Sequence, residues 1–331
     1  MPELPDVTVY VEQIARRTVG ETLEKVRLGS PFVLRSVSPR LSEVEGRRVS
    51  GVERLGKRIV IRLEDGLALV IHLMIAGRLQ WHDVSDRPKL TPGRGAKNRL
   101  AAFDFTSGTL LLTEAGSKKR ASLHVARGAL DEHDRGGLEP VGSKLEAFTE
   151  RLRGENHTLK RSLTDPRLFS GIGNAYSDEI LYRARLSPLQ WTKHLDAEQV
   201  EALWCATREV LEEWIERLRA EAGDGFPKKV TAFRAEMAVH GRFAKPCPRC
   251  GSLVQRIVYA ENECNYCATC QTGGKLLKDR ALSQLLRGDW PRSLQELEEQ
   301  RAERGAGLPG TVPEPATLRK VKHRRGPRGS R

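Results

Sequence analysis

The chain has 331 residues, and its length predicts two or three modules rather than one ordinary domain. Its 56 Lys and Arg against 43 Asp and Glu give a formal charge of +13, which favours a polyanionic partner, nucleic acid first. No run approaches the roughly 20 apolar residues that span a bilayer, and the start MPELPDV lacks the basic and apolar regions of a signal peptide. We therefore expect no membrane partner and a cytoplasmic protein associated with the bacterial nucleoid.

The first predicted elements are a helix and a group of strands. Val7, Val11, Ile14 and Thr18 recur at the spacing of one buried helix face. From about residue 22 to 125 the pattern changes to short β-rich runs, among them KRIVIRL, LALVIHLMIAGRLQW, LAAFDF and GTLLLTEAG, with turn signals such as EDG and TSG. This predicts a β-sandwich or barrel, and we place an N-terminal domain over residues 1–135.

The pattern becomes helical after the stretch RGGLEPVGS. Asp196 and Gln199 have the spacing of a capping box, and a long amphipathic helix follows them. We predict a helical domain over 145–240. Beyond the cysteine-rich segment we predict a helical extension over 272–304 and a disordered basic tail over 305–331.

Five of the six cysteines crowd into one short segment, which in a reducing compartment suggests a metal rather than disulfides. Two CxxC pairs have the spacing of a four-thiolate zinc ribbon, Cys247, Cys250, Cys267 and Cys270. Four thiolates leave no position for a substrate water, so we expect one structural Zn²⁺ in a finger over 241–271. Cys264 offers an alternative pair with Cys267, and our preferred set omits it. Cys205 is expected to be a small buried apolar residue.

The start of the chain carries unusual chemistry. Proline at position 2 directs removal of the initiator methionine and leaves a secondary amine. Attack of this amine on a sugar C1′ gives a permanently cationic iminium, which acidifies the C2′ hydrogens and promotes strand scission by β-elimination. Glu3 beside it could protonate the ring oxygen or shuttle protons. Taken alone, a proline at position 2 indicates little.

Four motifs together resemble the formamidopyrimidine-DNA glycosylase/endonuclease VIII family, and they occur in family order over most of residues 1–271. They are MPELPDV, LGKR, RLFSGIGNAYSDEILYRARLSPL and VHGRFAKPCPRC. The resemblance implies a multi-domain α+β fold: an N-terminal β-sandwich with an N-terminal helix, a helix-two-turn-helix domain and a C-terminal zinc ribbon. It also implies a monomeric bifunctional DNA glycosylase and abasic-site lyase that flips a damaged base out of double-stranded DNA.

The same resemblance implies roles for individual residues. Pro2 matches the family's nucleophile and Glu3 its catalytic carboxylate. Lys57 matches a lysine that lies on a β-strand, contacts DNA phosphate and assists catalysis. Outside this context it would be read as a solvated strand lysine.

The motif GIGNAYSDE implies a phosphate site in the helical domain. Asn174 matches the family's asparagine that binds phosphates flanking the lesion. Gly171 and Gly173 would allow a tight turn, and the helix N-terminus there would offer free N–H groups to an anion.

Three features depart from the family pattern. Asn262 replaces the arginine with which the finger usually reaches phosphates, and an amide cannot supply the charge. Candidate substitutes are Arg256 on the ribbon, or Lys275 or Lys278 beyond it. The chain also continues about sixty residues past the fourth metal cysteine.

The third departure concerns the residues that fill the void left by a flipped base. Ile75, with Met74 adjacent, stands at the position of an apolar wedge. The second loop reads SKKRASL and lacks the expected Arg-Phe pair, so Lys118, Lys119 and Arg120 are assigned as DNA contacts. A solvated cationic turn is an equally good interpretation of these three.

The altered wedge and finger leave the substrate open among oxidised purines, oxidised pyrimidines and abasic sites. A near alternative is therefore an abasic-site lyase with little glycosylase activity. A different class is a non-catalytic protein that binds damaged DNA on the same scaffold. A metalloenzyme is disfavoured because the ribbon has no open ligand position and no HExxH spacing occurs.

Overall fold

The structure, a computed structural model, describes residues 1–90, 98–116, 118–228, 230–231, 234–259, 262–278 and 291–303. The side chains of 259, 262 and 301–303 are not described. The predicted tail over 305–331, and residues 279–290 and 304 of the predicted extension, lie outside the described residues.

The chain begins with helix α1, Leu4–Thr18. Val7, Ile14 and Thr18 are buried as the periodicity predicts, and Val11 packs at the edge of the same core. The helix lies against the sheet that follows and against the longest helix of the second domain. It therefore joins the two halves of the molecule.

An eight-stranded sheet of antiparallel neighbours forms the N-terminal domain. Its strands are β1 Thr22–Leu28, β2 Arg47–Leu55, β3 Arg58–Leu63, β4 Leu67–His72, β5 Gly77–Asp83, β6 Arg99–Phe105, β7 Gly108–Glu114 and β8 Ser122–Arg127. Their order is β5-β7-β6-β1-β2-β3-β4-β8, and β1 and β2 pair over only two positions in register. Both halves contribute to one core, for example Phe103 from one and Ile61 from the other. The predicted β-sandwich is confirmed.

One predicted run is divided in the structure. The sequence LALVIHLMIAGRLQW reads as continuous, but a tight turn separates β4 from β5, with Met74 at φ 51°. The Gly77 N–H donates to the Leu73 carbonyl at 2.9 Å. A Cβ on Gly77 would lie 2.3 Å from that carbonyl oxygen, so only glycine allows the chain to turn this closely.

The helical domain follows the sandwich. Its helices are α2 Leu145–Arg153, α3 Leu159–Thr164, α4 Asn174–Arg183 and α5 Ala197–Ala222. The predicted capping box is present, since the Gln199 N–H donates to Asp196 Oδ1 at 2.8 Å. Cys205 on α5 is half-buried rather than buried, because it lies beside the helix face that packs into the core.

The cysteine-rich segment forms a small unit with a two-stranded hairpin. It contains β9 Gln255–Tyr259, β10 Asn262–Tyr266 and α6 Ala268–Thr272. Beyond it, residue 275 pairs with residue 293, and helix α7, Leu294–Glu303, begins. Leu276 packs with Tyr266 of the hairpin, and the Leu277 N–H donates to the Tyr266 hydroxyl at 2.8 Å. Every helix in the described part of the chain is too short or too polar to cross a membrane.

Candidate active site and metal centre

The first residues of the chain lie between the sandwich and the helical domain. Pro2 is buried, and Leu4 belongs to the core of the helical domain. The Leu4 N–H donates to the Gly171 carbonyl at 2.9 Å, and Gly171 has φ 77°, which favours glycine. The predicted tight turn is therefore present, and it holds the start of α1.

The Glu3 carboxylate caps the N-terminus of α4. It accepts hydrogen bonds from the backbone N–H groups of Gly173 at 2.7 Å, Ala175 at 2.9 Å and Tyr176 at 3.3 Å. A helix N-terminus favours negative charge, and the Glu3 carboxylate meets that preference here. The sequence analysis expected N–H groups at this helix start to be free for an anion, but Glu3 already occupies those of Gly173, Ala175 and Tyr176.

Lys57 approaches the same point from the sandwich. It lies in the turn between β2 and β3, not on a strand, and it is half-buried rather than solvated. A Cβ added to Gly173 would lie 2.4 Å from the carboxyl carbon of Glu3 and 2.6 Å from Lys57 Nζ. Burial lowers the pKa of Lys57, and the charge of Glu3 partly opposes that shift. The ammonium group and the carboxylate thus both lie beside Gly173.

The amine at the chain start lies near the same charged groups. The structure retains Met1, and burial lowers the pKa of its amine. Glu3 and Asp6 act in the opposite direction, whereas Arg78 and Lys57 reinforce the lowering. A lowered pKa increases the fraction of neutral, nucleophilic amine at neutral pH.

A second buried carboxylate stands beside Glu3. Asp6 Oδ2 accepts the Glu3 N–H at 3.0 Å, while Asp6 Oδ1 has no hydrogen-bond partner among the described residues. Arg234 Nη2 is 3.9 Å from that oxygen. Burial raises the pKa of Asp6 to about 6. Asp6 also lines a cavity of about 330 Å³ together with Phe226 and Arg234.

The raised pKa of Asp6 predicts a pH-dependent stability. The folded chain binds this proton more tightly than the unfolded chain does between about pH 4 and pH 6, so ionised Asp6 destabilises the fold above that range. We subtract the free energy of unfolding of wild type from that of Asp6→Asn. This difference should be about 2 kcal/mol larger at pH 7.5 than at pH 4.5. Denaturant unfolding at both pH values measures this, with the exposed Asp83→Asn as control. A variant-to-wild-type difference equal at both pH values would show that Asp6 keeps its ordinary pKa.

Asn174 lies where α4 meets the ribbon. Its side-chain amide donates to the Glu263 carbonyl at 2.8 Å, and its own carbonyl accepts from Lys160 Nζ at 2.6 Å. Asn262 begins β10 in the same hairpin, and its side chain is outside the description. The structure therefore brings the asparagine and the finger together.

A buried polar cluster that the sequence analysis missed fixes this junction. Asp178 on α4 accepts from Lys160 Nζ at 2.6 Å and from the Asn265 N–H at 3.1 Å, and it lies 2.8 Å from His240 Nδ1. Burial opposes ionisation of Asp178, but Lys160 and His240 outweigh it and lower its pKa. The acidic pair after GIGNAYS was visible in the sequence, but its partners are up to 87 residues away.

The wedge candidates occupy the turn between β4 and β5. Ile75 is 54% exposed, and Met74 is half-buried. Arg78 Nη1 donates to the Ile75 carbonyl at 3.2 Å and to the Gly77 carbonyl at 2.6 Å, which braces the turn. An apolar side chain therefore projects from a supported loop.

In the second candidate loop, only some of the cationic side chains are free to contact DNA. Lys118 and Arg120 are exposed. Lys119 Nζ instead donates to Asn98 Oδ1 at 3.1 Å and to the Glu114 carbonyl. Two of the three cations can therefore reach a ligand without breaking a contact within their own loop.

The four predicted metal ligands come together. Their sulfur atoms all lie within 4.8 Å of one another, with 3.9 Å between Cys247 and Cys270 and 3.5 Å between Cys250 and Cys267. Tetrahedral zinc with bonds of about 2.3 Å places thiolates about 3.8 Å apart, so the donor set fits. Cys264 is buried on β10 outside this group.

Comparisons with known proteins agree with this arrangement. The model of the formamidopyrimidine-DNA glycosylase N-terminal domain matches residues 1–115, and that of the formamidopyrimidine-DNA glycosylase H2TH domain matches residues 137–222. The formamidopyrimidine-DNA glycosylase of Thermus thermophilus is 35% identical over 286 residues, which covers 83% of this chain and 100% of that protein. That of Heliobacterium modesticaldum is 33% identical over 281 residues, covering 82% and 100%.

Solved structures of formamidopyrimidine-DNA glycosylases are also similar to this chain. A crystal structure of the MutM (Fpg) protein from Thermus thermophilus has a TM-score of 0.67 and 31% identity, covering 82% of this chain and 98% of that one. A complex of Lactococcus lactis Fpg with DNA containing an abasic site has a TM-score of 0.69, covering 82% and 99%; at 23% identity it supports the fold alone.

Proposed function

The chain belongs to the formamidopyrimidine-DNA glycosylase family, and from that premise we propose that it excises oxidised bases from double-stranded DNA and cleaves the strand at the resulting abasic site. The observation that carries the proposal is the meeting of three groups at one point. The chain-start amine, the Glu3 carboxylate and the Lys57 ammonium come together where the sandwich contacts α4.

The nucleophile is the amine of Pro2, exposed once Met1 is removed. Burial lowers the pKa of the Met1 amine, and Pro2 is itself buried, so burial favours the neutral form of its nitrogen as well. Its lone pair forms a bond to C1′, and the glycosidic C1′–N bond breaks as the base departs with the electrons of that bond and takes up a proton from solvent. The attached nitrogen then loses its own proton to the Glu3 carboxylate. The sugar ring opens when O4′ is protonated, which leaves an iminium at C1′.

Strand cleavage follows from the iminium. Loss of a C2′ proton moves electrons toward the cationic nitrogen, and the C3′–O bond breaks with release of phosphate. In a second elimination, loss of the C4′ proton supplies the electrons that break the C5′–O bond and release the other phosphate. These β- and δ-eliminations leave phosphate at both ends of the gap, and hydrolysis of the iminium returns the free amine.

Glu3 and Lys57 supply proton transfer and charge. Glu3 is held by three backbone N–H groups beside the nucleophile, so its carboxylate is fixed in place to take the proton from the attached nitrogen and deliver it to O4′. Lys57, lying over Gly173, contacts the phosphate next to the reacting sugar.

The DNA contacts extend from α4 to the ribbon. Asn174 binds a phosphate that flanks the lesion, and its bond to the Glu263 carbonyl fixes its position on the hairpin. We assign the missing finger charge to Arg256, whose guanidinium lies 4.2 Å from the Phe243 ring centroid and 3.4 Å from the Glu263 carboxylate. The exposed Lys275 and Lys278 are further candidates.

Ile75 fills the space left by the flipped nucleotide, and Lys118 and Arg120 bind nearby phosphates. The flipped base enters the cavity lined by Asp6, Phe226 and Arg234, whose volume of about 330 Å³ lies within the range of small-molecule sites. Asp6 Oδ1 has no hydrogen-bond partner among the described residues, and it faces a base that carries several hydrogen-bond donors.

The cysteine cluster holds one structural Zn²⁺. Its four thiolates supply the donors and the spacing that tetrahedral zinc prefers, and the ion contributes folding energy rather than chemistry. We infer domains over 1–135, 145–240 and 241–271, followed by an extension over 272–304 and a basic tail that adds non-specific DNA affinity.

A substrate panel tests this function. Duplexes that contain an oxidised purine, an oxidised pyrimidine, a preformed abasic site or no damage are incubated with the protein, and free base and strand ends are measured. We expect base release from an oxidised duplex, and cleavage of the abasic duplex to phosphate ends. Cleavage of abasic DNA without base release would favour the lyase alternative. Binding without cleavage of any duplex would overturn the enzymatic proposal.

A further inference from the structure

A row of cationic and imidazole side chains crosses the outer face of the sandwich beside Lys57. Arg58 on β3 pairs in register with His72 on β4, and His72 pairs with Ser122 on β8. His124 is two positions further along β8, so it shares this outward face, whereas Leu123 and Val125 point into the core. The row therefore starts at the catalytic lysine and runs away from it.

Two neighbouring segments complete the patch. After β8 the chain turns back across the sheet, where Leu130 packs on Val60 and Val70. This brings His133 against His124, with 4.8 Å between ring centroids and an interplanar angle of 64°. From the other side, the Arg35 N–H donates to the Leu123 carbonyl at 2.9 Å, which places an exposed arginine beside the pair.

Positive charge dominates the surroundings of these imidazoles. Burial lowers the pKa of His124, and His133, Arg58 and Arg35 lower it further, while Glu132 opposes them. Burial and Arg58 lower the pKa of His133 in the same way. The charged and titratable groups around the pair, from every segment that packs there, are Arg35, Lys57, Arg58, His72, Glu132, Asp134 and Arg135.

This arrangement suits an anion rather than a metal cation. Two arginines and a lysine repel a cation, and the four cysteines are the one metal-sized donor group within the described ranges. Two imidazoles that meet edge to face beside fixed cations gain most from a ligand whose negative charge allows them to take up protons.

We propose that His124 and His133, together with Arg58, bind a backbone phosphate of the DNA, so that the contact surface continues from Lys57 across the outer face of the sandwich. The inference rests on the proposed DNA substrate, but it does not depend on the chemistry at the chain start. An incoming phosphodiester favours the protonated imidazoles, so binding is accompanied by proton uptake and strengthens as the pH falls.

The test uses the full chain and a duplex that carries a tetrahydrofuran abasic analogue. Titration calorimetry at pH 6.5 and pH 8, in buffers of different ionisation enthalpy, gives affinity and proton uptake, and a salt series gives the slope of log K. We expect net proton uptake at pH 6.5 for wild type. The double variant His124→Gln/His133→Gln should lose that uptake, bind about five- to tenfold more weakly at pH 6.5, and reduce the salt slope by about 0.9.

Two further variants separate binding from folding. His82→Gln, on the other half of the sheet, is the control and should behave as wild type. His124→Arg carries a permanent charge, so it should keep the affinity but lose most of the uptake. Wild-type uptake and slope in the double variant would overturn the proposal, and unimpaired strand cleavage there would leave the proposed function intact. Proton uptake with inorganic phosphate alone, in the absence of DNA, would also overturn it, because the site would then bind the free ion.

Discussion

Glu3→Gln should lower the single-turnover rate of base release by about 10²- to 10⁴-fold, the usual contribution of general acid–base catalysis. The amide cannot deliver a proton to O4′, and its NH₂ group faces the N–H donors of Gly173 and Ala175. The helix cap is therefore weakened together with the chemistry. Rapid-quench measurement of free base, at saturating protein on an oxidised duplex, reports the chemical step.

Glu179→Gln is the matched control for Glu3→Gln. Both positions are buried carboxylates that accept three backbone N–H groups, but the partners of Glu179 are Ala238, Val239 and His240 rather than the start of α4. Glu179→Gln should change base release far less than Glu3→Gln does. Equal losses in both variants, or a Glu3→Gln rate that recovers under conditions that restore its stability, would assign Glu3 a structural role only.

Cys250→Ala should remove the bound metal and most of the DNA affinity. Structural zinc in isolated fingers is bound with about 10–16 kcal/mol, and a unit this small has little core without it. Loss of the hairpin also removes the Glu263 carbonyl that fixes Asn174. We expect zinc content to fall from one ion per chain to none, and duplex affinity to fall at least tenfold. Elemental analysis and fluorescence anisotropy measure the two effects.

Cys264→Ala is the control inside the same unit. Cys264 is buried on β10 but lies outside the sulfur cluster, so its replacement should leave the metal content at one ion. A Cys264 variant that loses its metal, or a Cys250 variant that retains it, would contradict the assigned ligand set.

Periodic and local features of this fold could be read from the sequence. The buried face of α1, the capping box at Asp196 and the two CxxC pairs depend on residues close together in the chain. Their spacing alone determines which side chains share a face or a metal. The sandwich followed in the same way from its hydrophobic runs, although β1 and β2, with more exposed residues, carry weaker signals.

The central contacts of the candidate site could not be predicted, because they join distant residues. Glu3 contacts α4 across about 170 positions, and no local pattern shows that the carboxylate next to Pro2 also caps that helix. Lys57 appeared to belong to a strand because KRIVIRL is continuous in sequence, and only the pairing of β2 with β3 shows the turn. Asp6 is likewise buried by residues far along the chain, such as Leu218 and Arg234.

Borohydride trapping on abasic DNA, followed by peptide mapping, tests directly whether the amine of Pro2 is the nucleophile. Protein whose chain starts at Pro2 is mixed with the abasic duplex and reductant, and the trapped species is digested with trypsin. We expect a sugar remnant on the nitrogen of Pro2 in the peptide covering residues 2–16, and no adduct when one extra residue precedes Pro2. An adduct on the Lys57 side chain, or bound abasic DNA with no adduct at all, would contradict it.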